Sequence, residues 1–233
     1  MPDTTLDAVV PDTLWTFDRP VWFAGVRLRA RTTVVRLDDG QLLLHSPAPP
    51  TDALTAQLRA LGSVRWLVVP NCFHHLGTPA AAAGFPDART VGPASALAKN
   101  PALRLDLDIR GAAFAEQVPE LEALPLDGVP FLDETVLFHR PTQTLLGADL
   151  VISATARDHW TWRWAARVTG CYGQLRVPPD VRKKLPDRAA TARALGAMLA
   201  RPARRLIVAH ADVVDDDCRE RLAEAWRREG VEP

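Results

Sequence analysis

The sequence has little cysteine and no long apolar run, and both absences limit the classes of protein it fits. Three cysteines, Cys72, Cys171 and Cys218, are widely spaced among 233 residues and form no Cys-x-x-Cys pair. A disulfide framework or a cysteine-rich zinc module is therefore not expected. No stretch approaches the roughly 18 apolar residues of a membrane helix, and the first residues show no signal-peptide pattern. We therefore expect a cytoplasmic protein.

An excess of charge of either sign is also missing. Lysine and arginine together number 28, as do aspartate and glutamate, and 47% of the residues are hydrophobic. This composition is typical of a globular protein with no global field to attract nucleic acid or anionic lipid. We therefore expect no nucleic-acid partner and no membrane partner. The expected partner is a small-molecule ligand or substrate, and the sequence specifies neither its identity nor the oligomeric state. The length fits a single domain over residues 1–233.

Short apolar runs alternate with segments of helical spacing, which predicts a mixed α/β fold. Strand-like runs occupy residues 14–17, 21–23, 31–37, 41–45, 64–69, 88–91, 121–126, 134–139, 144–150 and 204–209. Helical patterns occupy residues 51–61, 74–83, 187–200 and 215–229. The tight turns inside each group of strands favour two sheets.

Four of the strand-like runs end in a residue that can bind a metal ion. They lead to His45, to the pair His74 and His75, to Asp149 and to His210. Ligand sites of layered α/β folds gather beyond the carboxyl ends of strands, so these side chains are candidates for one site. Imidazole and carboxylate together suit zinc, iron or manganese. A single histidine at a strand end is more often a hydrogen-bonded structural residue, and the recurrence is what favours a metal.

The order of these elements resembles the metallo-β-lactamase superfamily, whose motif is a buried strand followed by His-x-His-x-Asp-His-x-Gly. The matching segment is Val68-Val69-Pro70-Asn71-Cys72-Phe73-His74-His75-Leu76-Gly77. Pro70 and Cys72 stand at the first two histidines and His74 at the aspartate, so the motif is degenerate. The segments ending in Asp149 and in His210 resemble the later ligand strands of the family. The likeness is greatest to a bacterial branch that keeps a His-His pair.

This resemblance implies a four-layer αββα sandwich and a reduced metal site. His75, Asp149 and His210 match family positions around one metal of the usual pair, and His74 would be a fourth ligand or an outer-shell donor. Asp149 and His75 would then be the catalytic residues. At most one transition metal ion, zinc, iron or manganese, is expected, and otherwise no cofactor.

Other polar and aromatic residues are candidates for the pocket lining, although each has an ordinary structural role as the alternative. They are His45, Asn71, Cys72, Glu134, His139, Trp160 and Asp212. Trp160, Trp162 and Trp164 would share one face of a strand but not of a helix. They pack in the core or form a lid over the cleft.

Two functions stay open at this point. The first is a metal-dependent hydrolase with at most one metal ion and an unknown substrate. The second is a metal-free, degenerate member of the family that binds a ligand or a protein. Bound metal in the purified protein would discriminate between them, because fold alone does not determine activity.

Overall fold

Two compact units divide the chain in the computed structural model, which describes residues 5–215 and 217–233. The first unit comprises the residues up to Arg19 together with Arg31–Ala123, and the second comprises Pro20–Ala30 and Leu124–Pro233. The predicted organisation as a single domain stays a prediction. No helix of the described residues is long and apolar enough to cross a membrane.

A seven-stranded mixed sheet belongs mainly to the first unit. Its strands, in their order across the sheet, are β1 (Asp7–Val10), β2 (Leu14–Phe23), β3 (Val26–Arg36), β4 (Leu42–His45), β5 (Val64–Val68), β6 (Arg89–Gly92) and β7 (Leu107–Asp108). The first four strands run antiparallel to their neighbours where pairing is recorded, whereas β4 to β7 are parallel. The far end of the β2–β3 hairpin is counted with the second unit.

Three α-helices and one short 3-10 helix accompany this sheet among the described residues. They are α1 (Asp52–Leu61), α2 (Thr78–Gly84), the 3-10 helix (Ala94–Ala96) and α3 (Ala112–Gln117). Helix α1 begins where predicted because the Thr51 hydroxyl accepts the N–H of Leu54 at 3.2 Å. Leu58 of α1 packs with Leu44 and Leu67 of the sheet in one buried apolar cluster.

A five-stranded sheet belongs mainly to the second unit. In chain order its strands are β8 (Leu121–Pro125), β9 (Thr135–His139), β10 (Thr144–Leu146), β11 (Arg205–Ile207) and β12 (Val214–Asp215), and their order across the sheet is the reverse. The helices of this unit are α4 (Trp160–Thr169), α5 (Pro179–Arg182), α6 (Arg188–Leu199) and α7 (Cys218–Arg227). Residue 216, within the predicted terminal helix, lies outside the described residues.

Two predicted elements differ in their bounds from the structure for a physical reason, and the tryptophan segment is helical. The predicted helix over residues 74–83 begins only at Thr78, because the Asn71 side chain holds the preceding residues in a turn. The predicted strand over residues 144–150 ends at Leu146, because the Glu134 side chain accepts the N–H groups of Ala148 and Asp149. The three tryptophans lie on or at the start of helix α4, and only Trp162 is buried.

Candidate functional site

In each unit, parallel strands bring that unit's candidate ligands to one edge of its own sheet. In the first unit, His45 of β4 pairs in register with Val68 of β5, so the loop carrying His74 leaves the sheet beside His45. In the second unit, β10 and β11 are parallel and pair Leu146 with Ile207. Asp149 lies three residues after Leu146, and His210 lies three residues after Ile207. We call these groups the first half-site (His45, Ser46, Asn71, His74 and His75) and the second half-site (Glu134, Asp149 and His210).

In the first half-site, Asn71 shapes the loop that presents His74. Its side chain is fully buried, and its Oδ1 accepts the N–H groups of Phe73 and His74, both at 2.9 Å. An asparagine at the start of a turn commonly accepts such bonds. Asn71, which the sequence suggested as pocket lining, therefore sets the loop geometry. Its neighbour Cys72 is buried as well, with 3% of its surface exposed.

His74 contacts a serine that the sequence gave no reason to select. The Ser46 hydroxyl lies 2.6 Å from His74 Nδ1. Ser46 itself adopts a left-handed backbone (φ 56), and its own carbonyl accepts the Thr32 hydroxyl at 2.7 Å. Such conformations are uncommon for residues other than glycine and cluster at functional sites. When His74 Nδ1–H donates to Ser46, Nε2 is the ring nitrogen that can act as a metal ligand.

His75 is held differently from its neighbour. It is largely buried, and its Nδ1 lies 3.2 Å from the side-chain nitrogen of Asn100. An amide nitrogen only donates, so Nδ1 accepts and the neutral ring carries its proton on Nε2. The pKa of His75 is lowered by burial and then by the charges of His74 and Lys99. Its ring is therefore neutral but offers no lone pair at Nε2.

His45 is a neutral, fully enclosed imidazole. It is 2% exposed, and its Nε2 has no hydrogen-bond partner among the described residues. Burial, and then the neighbouring His74, lower the pKa of His45 to about 3. The ring therefore adds no positive charge to the first half-site at neutral pH.

Gly77 is packed directly against the backbone of the segment that follows Ser46. A Cβ at this position would lie 2.2 Å from the carbonyl oxygen of Pro47 and 2.9 Å from the Cα of Ala48. The segment after Ser46 therefore passes directly against the loop that carries the two histidines. No residue with a side chain fits without a backbone shift.

In the second half-site, Glu134 is the support of Asp149. Its side chain is completely buried, and its carboxylate accepts the N–H of Ala148 at 2.7 Å and of Asp149 at 2.9 Å. A Cβ on Gly147 would lie 3.2 Å from the same carboxylate. Glu134 thus lies beneath the turn and determines where the Asp149 side chain points. The sequence had suggested it as part of the pocket wall.

His210 has a defined tautomer. Its Nδ1 lies 2.5 Å from the backbone carbonyl oxygen of Arg29, and a carbonyl only accepts, so Nδ1 carries the proton. Its Nε2 lies 3.5 Å from Asp149 Oδ1. A neutral imidazole would then direct a lone pair at a carboxylate oxygen. Two acceptors face each other favourably only when a cation or a proton lies between them.

Arg29 is anchored by two aspartates. Its guanidinium donates from Nε to Asp158 at 2.6 Å and from Nη1 to Asp212 at 2.9 Å. Burial opposes the charge of Arg29, but both carboxylates raise its pKa above the ordinary value. The pKa of Asp212 is lowered because Arg29 outweighs the effect of burial on that carboxyl. Asp212, suggested as pocket lining, therefore stabilises the segment whose carbonyl holds His210.

Of the remaining candidates, His139 lies away from the second half-site and Trp160 is exposed. His139 ends β9 and pairs with Thr144 at the start of β10, so the structure places it at the opposite end of these strands from Asp149. Its Nδ1 is 2.7 Å from the Thr142 hydroxyl. Trp160 is 69% exposed on the first turn of α4.

Comparison with known proteins yields a sequence match over part of the chain and structural matches over nearly all of it. Residues 11–95, well under half of the chain, match a family described as a domain of unknown function (DUF4336). No curated protein matches the sequence.

Several solved metallo-β-lactamases share the fold over nearly the whole chain. The enzyme from Erythrobacter litoralis is 18% identical with a TM-score of 0.67, and the alignment covers 98% of each chain. FIM-1 from Pseudomonas aeruginosa, in its mono-zinc form, is 15% identical with a TM-score of 0.66 over 98% of this chain and 96% of that one. The metallo-β-lactamase from Pontibacter korlensis is 12% identical with a TM-score of 0.65, over 96% and 99%. These likenesses confirm the predicted fold.

Proposed function

Since the chain has the metallo-β-lactamase fold, we propose that it is a metal-dependent hydrolase that uses a single metal ion. Asp149 and His210 of the second unit would be ligands, and His74 would be the ligand that the sequence motif supplies. One observation carries this proposal: Asp149 Oδ1 lies 3.5 Å from His210 Nε2, while His210 Nδ1 faces the backbone carbonyl oxygen of Arg29. Two imidazoles and a carboxylate are the donor set that suits zinc, and also iron or manganese.

Of the two adjacent histidines, His74 is the better ligand. His75 carries its proton on Nε2 because Asn100 donates to Nδ1, whereas the Ser46 hydroxyl accepts from or donates to His74 equally well. His74 can therefore keep its bond to Ser46 in either neutral tautomer, including the one that leaves Nε2 as the ligand atom. His75 would remain a neutral residue that is not a ligand.

A site with one ion fits the sequence better than a site with two. Pro70 has no side-chain donor, and Cys72 is buried in the loop core. The structure of FIM-1 in its mono-zinc form is an example of one metal on this fold. A single bound ion would supply Lewis acidity for activating water, but not the two-sided clamp of a dinuclear centre.

The residues of the chain itself orient this chemistry. Arg29 fixes the tautomer of His210 through its carbonyl, and Glu134 fixes the turn that carries Asp149. Such second partners of ligands hold the rings in place and raise their basicity. Asp149 would in addition accept a proton from an attacking water, because its carboxylate is partly exposed. The substrate class stays open.

The test is metal binding by untagged protein prepared without chelator. Elemental analysis and zinc titration by calorimetry are carried out on the wild type and on His74→Ala, Asp149→Ala, His210→Ala and His75→Ala. His159→Ala is the matched control, because it removes a histidine of the second unit outside the half-site.

We expect one zinc equivalent in the wild type and in the His159→Ala control, and none in the first three variants. His75→Ala should keep its metal. Two equivalents in the wild type would contradict the single-ion site. Absence of metal under every loading condition would leave the metal-free, ligand-binding or protein-binding module as the function. Chromogenic β-lactam, ester and phosphodiester substrates then test hydrolysis by the loaded protein, with poor β-lactam turnover expected.

A further inference from the structure

Helix α4 exposes an apolar stripe to solvent. Trp160, Trp164 and Val168 follow one another at intervals of four residues and are 69%, 67% and 70% exposed. Residues at this spacing lie on one helix face. The opposite face carries Trp162 and Ala166, which are buried in the apolar cluster of the second unit. The helix is thus apolar on both sides, although only one side is covered.

The tip of the β2–β3 hairpin extends this stripe within the same unit. Trp22 and Phe23 are 64% and 54% exposed just before the turn. The Trp22 ring centroid is 6.0 Å from that of His159, which is 5.8 Å from that of Trp160. The N–H of Arg27 donates to the Thr161 hydroxyl at 3.0 Å. The hairpin and the helix therefore form one aromatic surface, which consists of Trp22, Phe23, Trp160, Trp164 and Val168.

Arginines outnumber acids in the segments that form the aromatic surface. Residues 20–28 and 155–170 contain the arginines Arg27, Arg157, Arg163 and Arg167. Their one acid, Asp158, is buried and bonded to Arg29. Arg157 lies 3.8 Å from Asp212, which leaves Arg27, Arg163 and Arg167 as the main local positive charge beside the apolar patch of a protein with no net charge. Exposed apolar patches beside polar residues mark interaction sites.

We infer that the aromatic surface docks the protein on an anionic phospholipid membrane. Tryptophan and phenylalanine side chains favour the interface between water and lipid, and the arginines beside them would pair with lipid phosphates. A helix with an apolar face and a basic flank binds lying in the plane of this interface. The inference departs from the expectation of no membrane partner, because the charge that matters is local.

A second copy of the chain fits this surface less well. A two-fold dimer through the aromatic surface would bring the same arginines of both copies together without any exposed carboxylate from these segments. Like charges at an interface cost binding free energy. A single-stranded nucleic acid would meet the same arginines and aromatic rings, so it enters the test as a competing outcome.

Vesicle sedimentation with the full-length protein tests the inference. The lipids are phosphatidylcholine alone or mixed with phosphatidylglycerol, and tryptophan emission is followed in parallel. The variants are the double change Trp160→Ala with Trp164→Ala, and the double change Arg157→Ala with Arg167→Ala. Leu97→Ala, which removes an exposed apolar side chain of the first unit, is the control. Circular dichroism confirms that each variant is folded.

We expect the wild type and the control to bind the anionic vesicles with a blue-shifted emission. The tryptophan variant should bind at least about tenfold more weakly, and the arginine variant should lose the preference for anionic lipid. Failure of the wild type to bind, or equal binding by the tryptophan variant, would overturn the inference. So would tryptophan-dependent dimers in ultracentrifugation without vesicle binding, or tighter binding of oligouridine than of vesicles. Metal loading does not enter these readouts, so they are independent of the proposed hydrolase activity.

Discussion

His210 in the second half-site donates to a backbone carbonyl, whereas His74 in the first half-site meets a rotatable hydroxyl. The carbonyl permits one tautomer only, but a hydroxyl both donates and accepts. The second half-site is therefore preorganised, and the first half-site can adapt.

The two half-sites also differ in their buried groups. The second rests on the carboxylate of Glu134, which has two backbone donors, while the first rests on Asn71 and encloses the neutral ring of His45. The rigid half should therefore lose more stability when its support is removed. Four predictions test this comparison.

Removing the Glu134 carboxylate should have the largest effect. Glu134→Ala leaves the buried N–H groups of Ala148 and Asp149 without their charged acceptor, so the free energy of unfolding should fall by about 3–5 kcal/mol. Urea denaturation measures the loss. The control is Glu120→Ala. The Glu120 carboxylate accepts the exposed N–H of Asp38, and its removal should lower the free energy of unfolding by less than about 1 kcal/mol. Similar losses in both variants would show that Glu134 is no special support.

Adding a methyl group at Gly77 should be the next largest change. The Cβ of Gly77→Ala would collide with the backbone of Pro47 and Ala48, and we expect a loss of about 1–3 kcal/mol. Gly196→Ala, inside helix α6 with open space around it, should instead raise stability by up to about 1 kcal/mol. Thermal and urea unfolding of both variants compare them, and a neutral Gly77→Ala would mean that the loop yields easily.

Acid should weaken the fold through His45. Its pKa is near 6.5 in the unfolded chain and about 3 in the folded one, so the unfolded state binds the extra proton. The part of the free energy of unfolding that depends on neutral His45 is fully present above about pH 6.5 and is lost as the pH falls toward 3. At about pH 5 the loss is about 2 kcal/mol. His45→Asn should remove this part of the pH dependence of metal-free protein. Curves of the free energy of unfolding against pH that run parallel for the wild type and His45→Asn would contradict this prediction.

Loss of the Ser46 hydroxyl should have the smallest effect on folding. Ser46→Ala removes one hydrogen bond of His74, which costs about 1 kcal/mol of stability. Zinc affinity should fall by about tenfold, since a ligand without its second partner is less well oriented. Thr142→Ala is the matched control because it deprives His139 of a similar hydroxyl away from the half-sites. Calorimetric titration should show unchanged zinc affinity for that control.

Much of the fold was accessible from the sequence because its signals are local. The spacing of Leu54 and Leu58 behind Thr51 predicted helix α1, and the run before Val69 predicted β5. The degenerate motif around His74 and the segments ending at Asp149 and His210 indicated the metallo-β-lactamase fold, which the structural comparisons confirm. The ligand set itself stays a prediction.

Other features depended on neighbours distant in the sequence. Ser46 carries no signal of its own, and only the parallel pairing of β4 with β5 brings the loop of His74 to it. The histidine at 139 ends a strand just as His45 does, but the antiparallel pairing of β9 with β10 directs it to the other end of the sheet. Strand direction is a property of the sheet, which short-range patterns do not encode.

The sequence by itself determined which residues could bind a metal, because side-chain chemistry and strand endings are written in consecutive letters. The tertiary structure alone decided their protonation. Arg29 is 181 positions from His210, yet its carbonyl fixes the tautomer of that ring, and Asn100 does the same for His75. The same holds for the tryptophans, where burial of Trp162 and exposure of Trp160 and Trp164 follow from packing. A proton's position and a side chain's exposure depend on contacts made across the fold, and no local pattern contains them.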